Sequence, residues 1–328
     1  MNSFIHFKPF NYIKFAEYLN SAVVTNQFSN YGASVRLLET RARDMLKISP
    51  DKAIIAVNNG ASALHAMLLA IKRKDGNNSV FTQDFTFPCN MQGPAEHCIV
   101  VDLDAEYQID LSHSLLENNR AIIIVTNCFG HLQNLDAILE FADCNDHLVI
   151  FDNAATPYSF WKGTNSCNLG TGAYVSLHQT KPIGFGEGGL VIIDNKYEEY
   201  VRSAVNFGII NGVPSEFGSN FKMSELAAAG ILQWWDSFDI DDLAEAYRTV
   251  YEAKINKYLD TNNQIFPHYG DDKFFPNCLP IIHDSACATS FYAEEDARKY
   301  YKPFIGLPNS KKLYNNIACL PITENLNA

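Results

Sequence analysis

The chain is 328 residues long, 47% apolar and 19% charged, the values of an ordinary globular protein with room for one large domain and a smaller one. Its 25 basic against 37 acidic side chains leave a net charge of −12, which argues against nucleic acid or an anionic membrane as the main partner. A phosphorylated substrate stays open, because helix N-termini and a few local cations can hold one. The opening residues, MNSFIHFKPFNYIKF, lack the basic-then-apolar pattern of an export signal, and no apolar run approaches membrane-spanning length. The eight cysteines form no CxxC pair and the nine histidines no HExxH. A cytoplasmic protein with reduced, mostly buried thiols and no metal site is the expectation.

In chain order, residues 11–22 and 35–46 have the spacing of amphipathic helices, separated by a polar turn around Ser29–Gly32. From residue 53 short apolar runs recur at 53–57, 79–82, 98–101, 121–126, 148–151, 173–177 and 190–193, with helical patterns at 61–72, 111–118, 134–143 and 197–206. Continuous Val/Ile runs alternating with helices predict an α/β fold: a three-layer α/β/α arrangement around a mostly parallel, seven-stranded sheet buried on both faces. Helices are predicted over 224–235 and 241–259, the second with Leu243, Tyr247, Val250, Tyr251 and Tyr258 on one side. The pattern then loosens into short runs such as CLPII and a helix near 293–301. These changes place a large domain over 1–240 and a small C-terminal α+β domain over 241–328.

Ligands on such sheets sit beyond the carboxyl ends of the strands. That rule selects Asn59–Ser62, Asn127, Asp152 and Ser176. Asp152 either faces a ligand with a cationic or protonated ring nitrogen or caps the next turn. Asn59-Gly60-Ala61-Ser62, between a strand and a helix, is either a phosphate seat or a routine capped turn. Phe87 follows a strand, where core packing is the default. The twelve residues between the runs 173–177 and 190–193 are polar and Gly-rich and hold one lysine, Lys181. Its amine is either desolvated and free for imine chemistry or solvated on a loop. The letters GFGEGG fit a dinucleotide fingerprint, but a strand follows them where that fingerprint opens a helix, so the dinucleotide reading is rejected.

A strand-end Asp, then Ser-x-x-x-x-Lys, then GEGG resembles the DegT/StrS-type sugar aminotransferases, pyridoxal phosphate enzymes of the aspartate aminotransferase fold (fold type I). The similarity covers nearly the whole chain. NNGASALHAMLLAI resembles the family's phosphate-binding turn, DFTFPCN its "TF-x-A-T" segment, and IIIVTNCFGHLQNLDAI its "V-x-x-x-G-x-x-x-x-D-x-I" segment. LVIFDNAA is similar to "EDAAQ", SLHQTKPIGFGEGG to the lysine loop, GSNFKMSELAAAGILQ to "G-x-N-x-R-M-S-E-x-x-A-A", and LYNNIACLPI to "LPLHP".

The resemblance implies pyridoxal 5′-phosphate as cofactor. Lys181 would form the imine with it and shuttle the proton between Cα of the donor and C4′ of the cofactor. Asp152 would keep the pyridine nitrogen protonated, and Phe87 would stack on the ring. Ser176, with the amides of Gly60 and Ala61, would hold the phosphate, and Asn220 would reach it from a second subunit, which implies a homodimer with shared active sites. Some positions depart from the family. Ala155 stands where Gln or His contacts the phenolic oxygen, and Ala61 stands for the threonine of "SGT", with Ser62 as a substitute. Lys222 replaces an arginine, and the chain ends at ITENLNA without the final helix of many relatives. The implied reaction converts a keto group on a nucleotide-linked deoxysugar to an amine, with glutamate as donor, in surface-polysaccharide synthesis of the O-antigen kind. Lys181 argues against the family's dehydratases, which carry His there. The alternatives are a binding or regulatory protein that keeps the fold, motivated by Ala155 and Ala61, and another pyridoxal phosphate reaction on a sugar.

Overall fold

The structure, a computed structural model, describes residues 4–76, 78–116, 120–259, 263–285, 288–323 and 326. Its centre is a seven-stranded sheet made of β1 (Lys52–Val57), β2 (Ser79–Gln83), β3 (Ile99–Val101), β4 (Ala121–Thr126), β5 (Leu148–Asp152), β6 (Gly172–Ser176) and β7 (Gly189–Asp194). Each lies on a predicted apolar run. The spatial order is β1-β7-β6-β5-β4-β2-β3; β7 runs antiparallel to both neighbours and the remaining pairs are parallel.

The period of two decides which core each strand residue enters. Ile54 and Ala56 join one hydrophobic cluster with Ile123, Val125, Val149 and Phe151. Ile55 and Val57 join the other with Ile122, Ile124, Leu148 and Ile150. The first face is covered by α2 (Ala33–Met45), α4 (Leu135–Cys144), α6 (Glu225–Trp235) and α7 (Ile240–Tyr258), through Leu38, Ile138, Leu232 and Leu243. The second is covered by α3 (Gly60–Asp75) and α5 (Glu198–Val205), through Leu64, Met67, Val201 and Val205. Helices on both faces make the three layers. Helix α1 (Tyr12–Thr25) packs on α6 and α2 at the periphery. A smaller antiparallel sheet follows, with β8 (Asn263–Ile265), β9 (Leu279–His283) and β10 (Ile317–Leu320) and with β9 in the middle.

Two predicted helices do not form as expected. In the described part of 111–118 only one 3-10 turn forms, Ser114–Leu116, and residues 117 and 118 lie outside the described residues. Asp110 Oδ1 accepts from the Ser112 amide at 2.9 Å, a local turn that competes with helix. Near 293–301 there are 3-10 turns over Ala288–Glu295, and then Arg298 exchanges two backbone hydrogen bonds with Cys319 at 2.9 and 2.7 Å. The edge of β10 captures those backbone groups and holds the segment extended. A helix that the sequence pattern did not reveal, α8 (Pro308–Asn316), starts on proline, and its Asn309 and Ser310 amides both donate to Asp102 at 2.9 Å.

A second carboxylate cap joins two helices. Glu225, fully buried at the start of α6, accepts from the Ser34 amide at 2.7 Å and the Val35 amide at 3.4 Å at the start of α2. Helix α2 begins at Gly32 without a side-chain cap of its own. Glu225→Ala should therefore leave buried amides unpaired and lower stability by roughly 2–4 kcal/mol, read as a shifted denaturant midpoint at constant slope.

Candidate active site

Beyond the carboxyl ends of β1, β4, β5 and β6 lies a cavity of about 460 Å³ whose lining includes Gly60, Phe87, Asp152, Ala155, Ser176 and Lys181. Parallel strands all end on this side of the sheet, so residues far apart in the chain converge there without any loop having to reach. Ala61 and Asn127 also line it. Two expected residues do not. Ser62 is buried in the first turn of α3, and its amide donates to Asn59 Oδ1 at 2.8 Å; each helical step turns 100°, which carries it from the cavity toward the core. It does not stand in for the missing threonine hydroxyl of Ala61. Asn220 is exposed on the surface, in a bridge with Asn206, and takes no part in its own chain's cavity.

The phosphate seat is built from the first turn of α3. Asn59 occupies the Ser62 amide, which leaves the Gly60 and Ala61 amides without an intrahelical partner at the positive end of the helix. Ser176 closes the other side. A Cβ on Gly60 would lie 3.1 Å from Ser176 Cβ, a crowded contact that glycine avoids without displacing the serine. The glycine that ends GEGG has a related reason: a Cβ on Gly189 would come to 2.4 Å from the Asn59 carbonyl oxygen, pushing the turn away from the strand beneath it.

Asp152 is 3% exposed, and both its oxygens are engaged. Oδ1 accepts from the Ala154 amide at 3.1 Å, so the turn-capping reading is realised on one oxygen. Oδ2 accepts from Asn90 Nδ2 at 3.1 Å and from the Thr126 hydroxyl at 3.3 Å. Asn90 is itself held by the Tyr174 hydroxyl, which donates to its Oδ1 at 2.6 Å. Burial pushes the Asp152 carboxyl above its ordinary value, while Tyr174, the Ala154 amide, Asn90 and the charge of Lys181 work the other way. Lys181 is the counterpart. Burial pushes its ammonium below the ordinary lysine value, opposed by the Asp152 carboxylate. The desolvated reading of this lysine is the one the geometry supports.

Phe87 is 55% exposed, so core packing does not account for it; its ring borders the cavity on the N-terminal side of the 3-10 turn Pro88–Met91. Ala155 is buried with its carbonyl bonded by Asn277 Nδ2, and its methyl brings no donor to the cavity. Lys222 is occupied locally: its Nζ donates to Asn206 Oδ1 at 2.8 Å and sits 4.4 Å from the centroid of the Phe207 ring. Asn90, Tyr174 and Tyr301 were not foreseen. Asn90 stands three residues after Phe87 in DFTFPCN, a usable signal, whereas Tyr301 arrives from the C-terminal region with no local cue.

A mostly parallel sheet with a buried aspartate and a desolvated lysine facing one cavity at its carboxyl edge, and open helix amides beside them, defines a cofactor-dependent enzyme of the α/β class. The chain belongs to the DegT/DnrJ/EryC1/StrS aminotransferase family, which matches residues 13–251. It is 26% identical over 253 residues to EpsN of Bacillus subtilis, assigned as a pyridoxal phosphate-dependent aminotransferase, a match covering 71% of this chain and 63% of that one. It is 25% identical over 260 residues to the GDP-perosamine synthase of Escherichia coli O157:H7, covering 76% and 70%. The match thus spans less than two thirds of the Bacillus subtilis relative. Among solved structures, DesI, determined in the presence of its TDP-sugar product, superposes with a TM-score of 0.78 at 20% identity over 98% of this chain and 87% of that one, a likeness of fold. The cofactor is pyridoxal 5′-phosphate, and the residues present fit it: unpaired helix amides for a phosphate, a buried carboxylate for a ring nitrogen, an exposed aromatic ring and a desolvated amine.

Proposed function

We propose that this protein transfers an amino group from glutamate to a keto group on a nucleotide-linked deoxysugar, in the cytoplasm, as part of surface-polysaccharide synthesis. The observation that carries the reading is the convergence of Lys181 and Asp152 on one cavity beside the open first turn of α3. The named activities of relatives support the substrate class, among them a GDP-perosamine synthase and DesI with its TDP-sugar product. Residues 1–240 act as the cofactor-binding domain and 241–328 as the smaller C-terminal domain. The protein works as a homodimer in which Asn220 reaches the phosphate of the partner subunit's site.

When bound, pyridoxal phosphate supplies an electron sink for the bonds at the donor's Cα. Lys181 Nζ would hold the cofactor, and once displaced by the donor's own amine it would be free, as a neutral and desolvated base, to move a proton from that Cα to C4′. Asp152 would hold the proton on the ring nitrogen, and Asn90 and Thr126 fix the carboxylate on which this depends. Phe87 would stack on the ring, while Gly60, Ala61 and Ser176 would hold the phosphate. Ala155 would offer no side-chain hydrogen bond to the phenolic oxygen.

The test is the visible absorbance of the purified protein with pyridoxal phosphate, followed by addition of glutamate. A band that glutamate bleaches is expected. A band indifferent to glutamate would mean another donor or another pyridoxal phosphate reaction. No band would show that Ala61 and Ala155 have cost the site its cofactor and would favour a binding or regulatory protein.

A further inference from the structure

The loop that carries Lys181 cannot satisfy all of its own carbonyl groups. Pro182 brings no N–H, and the Lys181 and Gly184 amides are spent on short bonds to His178 O and Lys181 O at 2.8 and 3.0 Å. Side chains from elsewhere supply the donors. Trp234 Nε1 donates to Pro182 O at 3.1 Å and Trp235 Nε1 to Ile183 O at 2.7 Å, both from α6. The Gln179 and Gly184 carbonyls, and the second lone pair of Lys181 O, converge on one atom. Lys8 Nζ lies 2.7 Å from Gln179 O, 2.6 Å from Lys181 O and 2.6 Å from Gly184 O.

Lys8 belongs to the extended segment ahead of α1, is 7% exposed, and has no carboxylate of a described residue as a partner. Its Nζ also stands 5.7 Å from the centroid of the Trp234 ring. Burying an ammonium without a counter-charge is costly, and burial pushes this one down to about 7. Three carbonyl dipoles work the other way, since only the charged form brings three N–H donors to three acceptors. The arrangement has a recognisable geometric result: one nitrogen ties the residue before Thr180, the reactive lysine itself and the far end of the turn to a single point.

We propose that Lys8 is a positioning residue for Lys181, its ammonium clamping the loop that mounts the reactive amine by binding three backbone carbonyls of that loop. The proposal rests on Lys181 being the reacting amine. Lys8 touches neither cavity nor reacting atoms. It narrows the directions in which the Lys181 backbone presents its side chain, so that the amine meets the cofactor without a search.

The experiment uses the full chain and two variants. Lys8→Met keeps the length and removes the donors; Lys8→Arg keeps the charge, but its planar fork cannot bring donors to a point between three carbonyls. Hydrogen–deuterium exchange without added cofactor reads the clamp: the Lys181, Gly184 and Phe185 amides should exchange about tenfold or more faster in Lys8→Met, with β4 unchanged. Borohydride trapping of pyridoxal phosphate on Lys181, followed by peptide mass, reads the positioning: trapping should be about tenfold or more slower in Lys8→Met and intermediate in Lys8→Arg. Wild-type exchange and trapping in Lys8→Met would overturn the proposal. If Lys8→Met does not fold, wild-type values in Lys8→Arg would overturn it, and a loosened loop with slow trapping there would support it. Absence of trapping in the wild-type protein would overturn the reading of the site, while loop exchange in the variants would still decide whether Lys8 is a clamp.

Discussion

Replacing Lys181 by alanine is expected to abolish the visible band that the wild-type protein forms with pyridoxal phosphate and to lower turnover by at least about 10²–10⁴-fold, the span for losing one proton-transfer group. The physical cause is burial. A lysine on a solvated loop keeps its proton at neutral pH, whereas Lys181 is pushed below its ordinary value of 10.5 by desolvation. The sign of the pH dependence follows. The neutral amine is the form that bonds the cofactor, so capture should rise with pH and level off below the range of a free lysine. Absorbance against pH measures this directly. A residual band in Lys181→Ala would assign the chemistry to a different amine.

The Asp152→Asn variant should lose about tenfold to hundredfold in turnover, the equivalent of 1.5–3 kcal/mol for a hydrogen bond to a charged group. It should also move a second observable in a defined direction. The Asp152 carboxylate holds the Lys181 ammonium up against desolvation, so its removal should shift the midpoint of lysine capture to lower pH. A merely structural aspartate would change stability and leave that midpoint in place. Asn90→Ala gives the intermediate case: the carboxylate remains but loses the Oδ2 hydrogen bond at 3.1 Å, so a smaller loss of turnover is expected.

The core of the site was legible because its parts lie on strand ends. A parallel α/β sheet puts the residue after each buried run on one edge, so Gly60, Asp152 and Ser176 could be placed together from the spacing of Val/Ile runs alone. The lysine loop was legible for a similar reason, since two buried strands flank it. Residues whose role depends on side-chain direction were harder. Ser62 and Ala61 are neighbours, yet only Ala61 lines the cavity. Asn90 was hidden in a motif chosen for its phenylalanine, although it is Asn90 that orients Asp152. The C-terminal region misled most. Its helical pattern near 293–301 gives way to an extended bridge because the edge of β10 offers backbone partners, a contact that no window of sequence contains.

Periodicity and strand-end position thus determined the layers, the seven-stranded sheet and the placing of Gly60, Asp152 and Ser176 on one edge, because each depends on residues within one strand or one turn of a helix. Tertiary structure alone decided what holds those parts in place. Glu225 caps α2 across 191 residues of chain, Asp102 caps α8 across 207, and Lys8 binds the lysine loop across 171 to 176. Such bonds join a buried polar group to the nearest unpaired donor or acceptor in space. Nothing in local sequence records where that partner lies, because it is fixed only when the layers close and water is excluded.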